Sequence, residues 1–289
     1  MTIKRDKIIE TLKIYKIDAR IINAIANIYN EDTIELCLGE LKETITATNG
    51  IRQGCTLSAT IFKLISYRII KELNQKVKGY QTKEYTIRTL FFADDGLIIS
   101  ESVNQTACDI KILQSTTSKY GLELNKGKSS VLIFNMKNKP DNIEGISISD
   151  QMKYLGVLIQ DTRDIFKKHK MEKIKLAEKL ANCTYSIVNR SCSRSLIGKT
   201  YWKSVAVPAI IYASGVINWN RSEIESLQVK QNQVCRKIYN APRWATNTAL
   251  RGEIGMSTME SRIIQSKTGY IVNRLNQGSN LIKGVVEEL

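Results

Sequence analysis

Leu90-Phe91-Phe92-Ala93-Asp94-Asp95-Gly96-Leu97-Ile98-Ile99 constrains this chain more than any other stretch. Two adjacent carboxylates stand between two short apolar runs, and such runs read as strands. Asp-Gly between them is a hairpin signal, because glycine takes positive φ at no steric cost. The expectation is a tight β-hairpin with Asp94 and Asp95 at its tip. Asp-Asp-Gly is also ordinary turn chemistry. The rest of the chain has to decide between a solvated turn and a site.

Upstream, Ile8, Ile9, Leu12 and Tyr15 recur at helical spacing, and Asp18 can cap a second helix carrying Ile21, Ile22, Ile25 and Tyr29. Residues 33–38 and 41–46, separated by Gly39 and Glu40, read as a hairpin. A polar loop follows. In it Gly50 and Gly54 let the backbone approach a ligand, while Arg52 and Gln53 supply donors. A helix begins after Thr56, with Ser58 as its cap, and a glycine-containing loop feeding a helix N-terminus suits phosphate. Beyond the Asp hairpin, a helix over 104–120 ends at Gly121, a left-handed C′ residue. Strands are expected over 130–134 and 153–160. The alternation predicts an α+β first half with a mostly antiparallel sheet.

From Asp164 the texture becomes helical. On a helix over 165–189, Ile174, Ala177, Leu180, Ala181, Ile187 and Val188 share one side, and Lys168, Glu172, Lys175 and Lys179 the other. Lys173 falls on the apolar side. Ten Lys/Arg and three Asp/Glu lie between Asp164 and Lys203. Such a face is either simply solvated or tracks a phosphate backbone. A helix over 195–213 should kink at Pro208. Capping boxes at Ser222-Glu223-Ile224-Glu225 and Ser257-Thr258-Met259-Glu260 should open helices to about 239 and 277. The boundary falls near 161–164, giving domains 1–160 and 161–289.

The formal net charge is +15, which suggests a polyanionic partner, nucleic acid rather than membrane. None of the six cysteines forms a Cys-x-x-Cys pair, and His169 stands in a lysine-rich stretch. Zinc sites and histidine acid–base catalysis are therefore disfavoured, leaving carboxylates or lysines to carry any chemistry. No apolar run approaches the roughly 18 residues of a membrane span, and no secretory signal is visible, so an intracellular setting is expected.

Three pieces then occur in a telling order: Gly50-Ile51-Arg52-Gln53-Gly54-Cys55-Thr56-Leu57-Ser58, Phe92-Ala93-Asp94-Asp95, and Gly121-Leu122-Glu123-Leu124-Asn125-Lys126-Gly127-Lys128. This order and spacing resembles the palm of reverse transcriptases of non-LTR (LINE-type) retrotransposons. Tyr154-Leu155-Gly156-Val157 looks like the primer grip of that family, and segments around 208–215 and 236–242 look like its thumb and post-thumb. The resemblance implies a partial right-hand palm followed by an α-helical thumb and C-terminal region. It implies an RNA-directed DNA polymerase working on an RNA template, a DNA primer and dNTPs. Asp94 and Asp95 would sit by Mg²⁺ (or Mn²⁺), Asp94 as the principal ligand. Arg52, Gln53 and Gly54 would line the nucleotides, Lys128 would steady the leaving group, and Tyr154, Leu155 and Gly156 would hold the primer. Lys168, Lys175 and Lys179 would follow the backbone.

The sequence also departs from that family. Thr56 and Ala59 stand where it usually has proline. Its other catalytic carboxylate falls at or before Met1, and its fingers region lies further upstream, so a preceding segment is expected to be missing. The expectation is a chain that does not extend a primer alone. The alternatives are a non-catalytic nucleic-acid-binding remnant and a maturase-like RNA-binding protein.

Overall fold

Apolar spacing at the two ends of the chain builds two separate cores. A computed structural model gives the fold and describes residues 3–30, 33–52, 54–82, 85–278 and Ile282. The first compact unit comprises the chain to Val131 with Lys137–Ser149. The second comprises Leu132–Met136 and the chain from Asp150 onward.

The first unit runs α1 (Arg5–Ile14), α2 (Ala19–Asn30), β1 (Thr33–Leu38), β2 (Leu41–Thr46) and α3 (Thr56–Lys76). It continues with β3 (Tyr80–Gln81), β4 (Thr86–Ile87), β5 (Thr89–Phe92), β6 (Asp95–Ile98), α4 (Val103–Lys119), β7 (Asn142–Ile143) and β8 (Ile146–Ser147). Helix α3 is its spine. Ile61, Ile65, Ile69 and Leu73 step every fourth residue along one face and are all buried. They meet Ile8 and Leu12 of α1, Ile22, Ile25 and Tyr29 of α2, and Tyr120 beyond α4. Each buried Ile or Leu contributes roughly 1.5–3 kcal/mol. Arg68 on α3 bridges its neighbours: its guanidinium meets the Glu10 carboxylate at 2.5 Å and lies 5.4 Å from the Tyr120 ring centroid.

The strands of this unit do not merge into one sheet. Among the described residues every ladder is a two-stranded antiparallel pair. The fold class is α+β, helix-rich with small antiparallel sheets. The β1–β2 pair is exposed along its whole length. Its register places Ile34, Leu36, Leu38, Leu41, Glu43 and Ile45 on one face and Thr33, Glu35, Cys37, Lys42, Thr44 and Thr46 on the other. The strand expected over 130–134 reduces to one parallel bridge, Val131 to Ile148, because residues 132–136 leave this unit for the other.

The second unit begins with β9 (Gln151–Tyr154) and β10 (Val157–Gln160). The single strand expected over 153–160 is a hairpin instead. Leu155 and Gly156 take φ of 47° and 80°, and positive φ at both loop positions is what a two-residue hairpin of native twist needs. Then come α5 (Lys167–Asn189), α6 (Arg194–Tyr201), a π-helical turn (Trp202–Ala206), α7 (Val207–Ile210), α8 (Arg221–Tyr239), α9 (Asn247–Ile254) and α10 (Met259–Gln277). The one kinked helix expected over 195–213 is thus broken into segments. Pro208 has no N–H for the helical ladder, and the wide turn precedes it. The core joins Ala177, Ala181 and Val188 of α5 to Trp202, Ile210 and to Leu227, Val234 and Ile238 of α8.

Lys173, the misfit on the apolar side of α5, is half-buried. Its ammonium donates to the Ala209 carbonyl at 2.8 Å and lies 5.3 Å from the Tyr212 ring centroid. The cap of α8 is Asn220, not Ser222. Asn220 Oδ1 accepts the Glu223 N–H at 2.9 Å, and Glu223 Oε2 accepts the Asn220 N–H at 2.8 Å. At α10, Thr258 caps by accepting the Ser261 N–H at 3.1 Å.

Candidate nucleic-acid and metal-binding sites

The Asp hairpin forms, with a different turn. Phe92 pairs with Asp95 and Phe91 with Gly96, so the two-residue loop is Ala93-Asp94. Asp94 is at the tip, while Asp95 opens β6. Ala93 carries the positive φ, 55°, that the Asp-Gly pair was expected to supply. Gly96 serves packing instead: a Cβ there would lie 2.6 Å from Phe91 Cε1. Phe91 and Ile98 rest on the first core, which fixes the base of the hairpin. Both carboxylates are exposed at its end.

The 50–55 loop is tied to the same core. The Gly50 N–H donates to the Ile3 carbonyl at 2.8 Å, and Ile51 and Leu57 pack inward. Arg52 is exposed; Gln53 lies outside the described residues. Gly54 has φ 82° and open space around it, so the turn requires glycine for its backbone while leaving room beside it. Helix α3 starts at Thr56 with Cys55 as N-cap. The Ser58 and Leu57 groups hydrogen-bond the Cys55 thiol and hold its pKa below the usual cysteine range. Ser58 is not the cap. It is buried in the first turn, its hydroxyl 3.2 Å from Tyr29 Oη.

The third piece also converges here. Gly121 has φ 78°, as a left-handed helix terminator should, and Leu122 packs on the core. Asn125 accepts the Lys128 N–H at 3.1 Å, shaping a turn from which Lys128 is exposed. The Lys4 N–H donates to the Tyr120 carbonyl at 3.0 Å, so Ile3-Lys4 joins the first piece to the third. One core thus carries Arg52 and Gly54, Asp94 and Asp95, and Lys128. Carboxylate oxygens suit a hard divalent cation, and magnesium commonly takes one or two of them with substrate phosphates. Among the described residues no group of three metal-binding side chains forms.

The other sequence candidates belong to the second unit. Tyr154, Leu155 and Gly156 close the β9–β10 hairpin. Tyr212 Oη donates to the Leu155 carbonyl at 2.8 Å, and a Cβ on Gly156 would lie 3.4 Å from Tyr212 Cε1. The Leu158 N–H donates to His169 Nδ1 at 3.3 Å. His169 and Tyr212 therefore hold this hairpin, a role that the sequence did not suggest for either. The signal for His169 was its spacing: four-residue steps through Lys173 lead to Ala177 and Ala181 on the buried stripe. Burial, with Lys173 and Lys153 nearby, depresses the His169 pKa against the opposing Glu172 and Tyr212 backbone. Of the three lysines, Lys175 and Lys179 are exposed and line a shallow groove with Glu178, Asn182, Cys183 and Ser186. Lys168 is set apart from them. It is half-buried, with its ammonium on Gln151 Oε1 and its N–H on Gln160 Oε1 at 3.0 Å.

Residues 1–159 match the family described as reverse transcriptase (RNA-dependent DNA polymerase). A curated relative, the retrovirus-related Pol polyprotein from type-1 retrotransposable element R2 of Bradysia coprophila, is 24% identical over a region covering 48% of this chain. That region is 18% of the relative's own length. No helix among the described residues is long and apolar enough to cross a membrane.

Proposed function

This chain belongs to the reverse transcriptase (RNA-dependent DNA polymerase) family, of the non-LTR retrotransposon type, and we propose that its first unit is the nucleotidyl-transfer part of a polymerase palm. The observation that carries this reading is the convergence of three sequence-distant segments on one core, with Asp94 and Asp95 exposed at the end of an anchored hairpin. In this reading Asp94 and Asp95 hold Mg²⁺ or Mn²⁺. When bound, such an ion makes a primer 3′-hydroxyl more acidic and neutralises charge on the departing pyrophosphate. Arg52 and the open backbone at Gly54 receive template and nucleotide. Lys128 places a cation where leaving-group charge develops. In this reading Tyr154, Leu155 and Gly156 close the palm as its primer grip, residues 161–289 are the thumb and C-terminal region, and Lys175 and Lys179 contact phosphates.

Among the described residues no third metal-binding side chain joins Asp94 and Asp95, and two carboxylates are an incomplete donor set for two metal ions. The 289-residue chain is therefore assigned nucleic-acid binding without primer extension of its own. The same donor set favours the second reading, a non-catalytic nucleic-acid-binding remnant. The two separate by metal titration. With an RNA template, DNA primer and dNTP present, Mn²⁺ should broaden NMR signals around Asp94 and Asp95, and Asp94→Asn should abolish this. No broadening leaves the remnant reading. Primer extension by the chain that Asp94→Ala removes would overturn the assigned inactivity. In either reading, affinity for the primer–template should fall steeply between 50 and 200 mM salt, about 10³-fold for six phosphate contacts. Salt-independent binding would defeat both.

A further inference from the structure

Three tryptophans occur in the chain. Trp202 and Trp219 are buried in the second core, while Trp244 is 85% exposed. An apolar ring of that size left in water is unusual for a residue that forfeits so much burial. It is also not left loose. The Ala245 N–H donates to the Pro242 carbonyl at 3.1 Å, making a turn with Arg243 and Trp244 at its corners. Arg236, on the last turns of α8, clamps that turn from beneath. Its Nη1 donates to the carbonyls of Pro242 and Arg243, each at 3.0 Å, and its Nη2 to Asn247 Oδ1 at 2.8 Å. One guanidinium therefore joins the end of α8, the turn and the start of α9.

The stretch that carries the turn is basic in sequence, between Glu225 and Glu253, with Lys230 paired to Glu178 at 3.4 Å. From Ser226 to Gly252 the sequence has five Lys/Arg and no Asp/Glu. Arg194 reaches the same helix end, its Nη2 donating to the Lys237 carbonyl at 3.1 Å. Arg243, beside the indole, is exposed. An exposed aromatic ring on a braced turn, beside the exposed Arg243, suits an unpaired base and its phosphates, because stacking needs a π-face and the backbone needs positive charge. A duplex hides its base faces, and an apolar protein partner would not call for this charge.

We infer that the Pro242–Ala245 turn is a stacking site for single-stranded nucleic acid, with Trp244 taking a base and Arg243 an adjacent phosphate. The site shares no residue with those assigned to metal, nucleotide and primer, and does not depend on whether the chain polymerises.

The test uses the full chain with 5′-labelled oligo(U) and oligo(dT) 20-mers and a 20-base-pair duplex, read by anisotropy. Trp244→Ala should raise Kd for a single strand by about 5- to 100-fold and leave the duplex within about 2-fold. Trp244→Phe should restore most of the affinity. Arg243→Ala should lower the slope of log affinity against log salt by about 0.7. Since the other tryptophans are buried, saturating single strand should quench the exposed, solvent-shifted emission that Trp244→Ala removes. Equal single-strand affinities for wild type and Trp244→Ala would overturn the inference. So would an equal loss on duplex, or a self-associated chain that Trp244→Ala renders monomeric.

Discussion

His169 and Lys170 are adjacent and both buried, yet their pKa values move in opposite directions for physical reasons. Burial alone depresses the Lys170 ammonium, but Asp164 at 2.7 Å and Glu223 at 3.0 Å outweigh it, and its pKa rises above the usual lysine value. The Asn218 carbonyl accepts a further bond at 3.1 Å. For His169 desolvation outweighs the Glu172 carboxylate, and its pKa falls below the usual histidine value. Its Nδ1 must accept from Leu158, and a proton there would displace that N–H. A folded pKa below the unfolded value means the unfolded chain binds the extra proton first as pH drops. Stability is therefore full above about pH 6.5 and declines as pH falls from there toward the depressed folded value. Urea unfolding between pH 7 and 5 should show this slope in the wild type, and His169→Gln should flatten it. Equal slopes would remove His169 from the account. Asp164, held below the usual carboxylate range by Lys170, adds a second loss only below about pH 4.

At the scale of elements, caps and turns carry the lesson. Asn220, not Ser222, closes the box with Glu223, and Ser222 Oγ merely donates to Asn220 Oδ1 at 2.8 Å. Asn220→Ala should cost about 1 kcal/mol and lower Tm by a few degrees, whereas Ser222→Ala should stay within about 0.5 kcal/mol. Calorimetry ranks the two, and the reverse ranking would be incompatible with the Asn220 cap. The sequence motif Ser-x-x-Glu could not locate this cap, because Asn220 satisfies the same spacing rule two residues earlier. Helices were legible wherever apolar residues recur every third or fourth position, as in α1 to α5. The short α9, with one fully buried residue, Ile254, left too weak a pattern and was missed. The strands at 33–46 were legible to the residue. Those at 151–160 were misread because Leu155 hides a turn position inside an apolar run; a leucine at φ 47° is costly, and Tyr212 holds its carbonyl. For the site, residue types and order were readable, but loop register was not. Pairing set Ala93-Asp94 as the loop, and a steric need for Phe91 claimed Gly96.

At the scale of the molecule, the two units divide the labour of the charge. The first unit presents its acidic pair from a core laid down by α3, and the second bears the exposed cations of α5 and of the α8–α9 junction. The β1–β2 hairpin, exposed along both strands, has a further consequence. Its Gly39-Glu40 turn holds nothing inward, so the backbone there can be severed without disturbing the packing of α1 and α2 on α3. Residues 1–39 and 40–289, expressed as two chains, should find each other and copurify, because Ile8, Leu12, Ile22 and Ile25 still need Ile61, Ile65 and Leu73. Loss of the shorter chain during washing would show that the hairpin is structural after all. If they stay together, the protein has a natural seam, and its assembly can be switched on by mixing two separately made pieces.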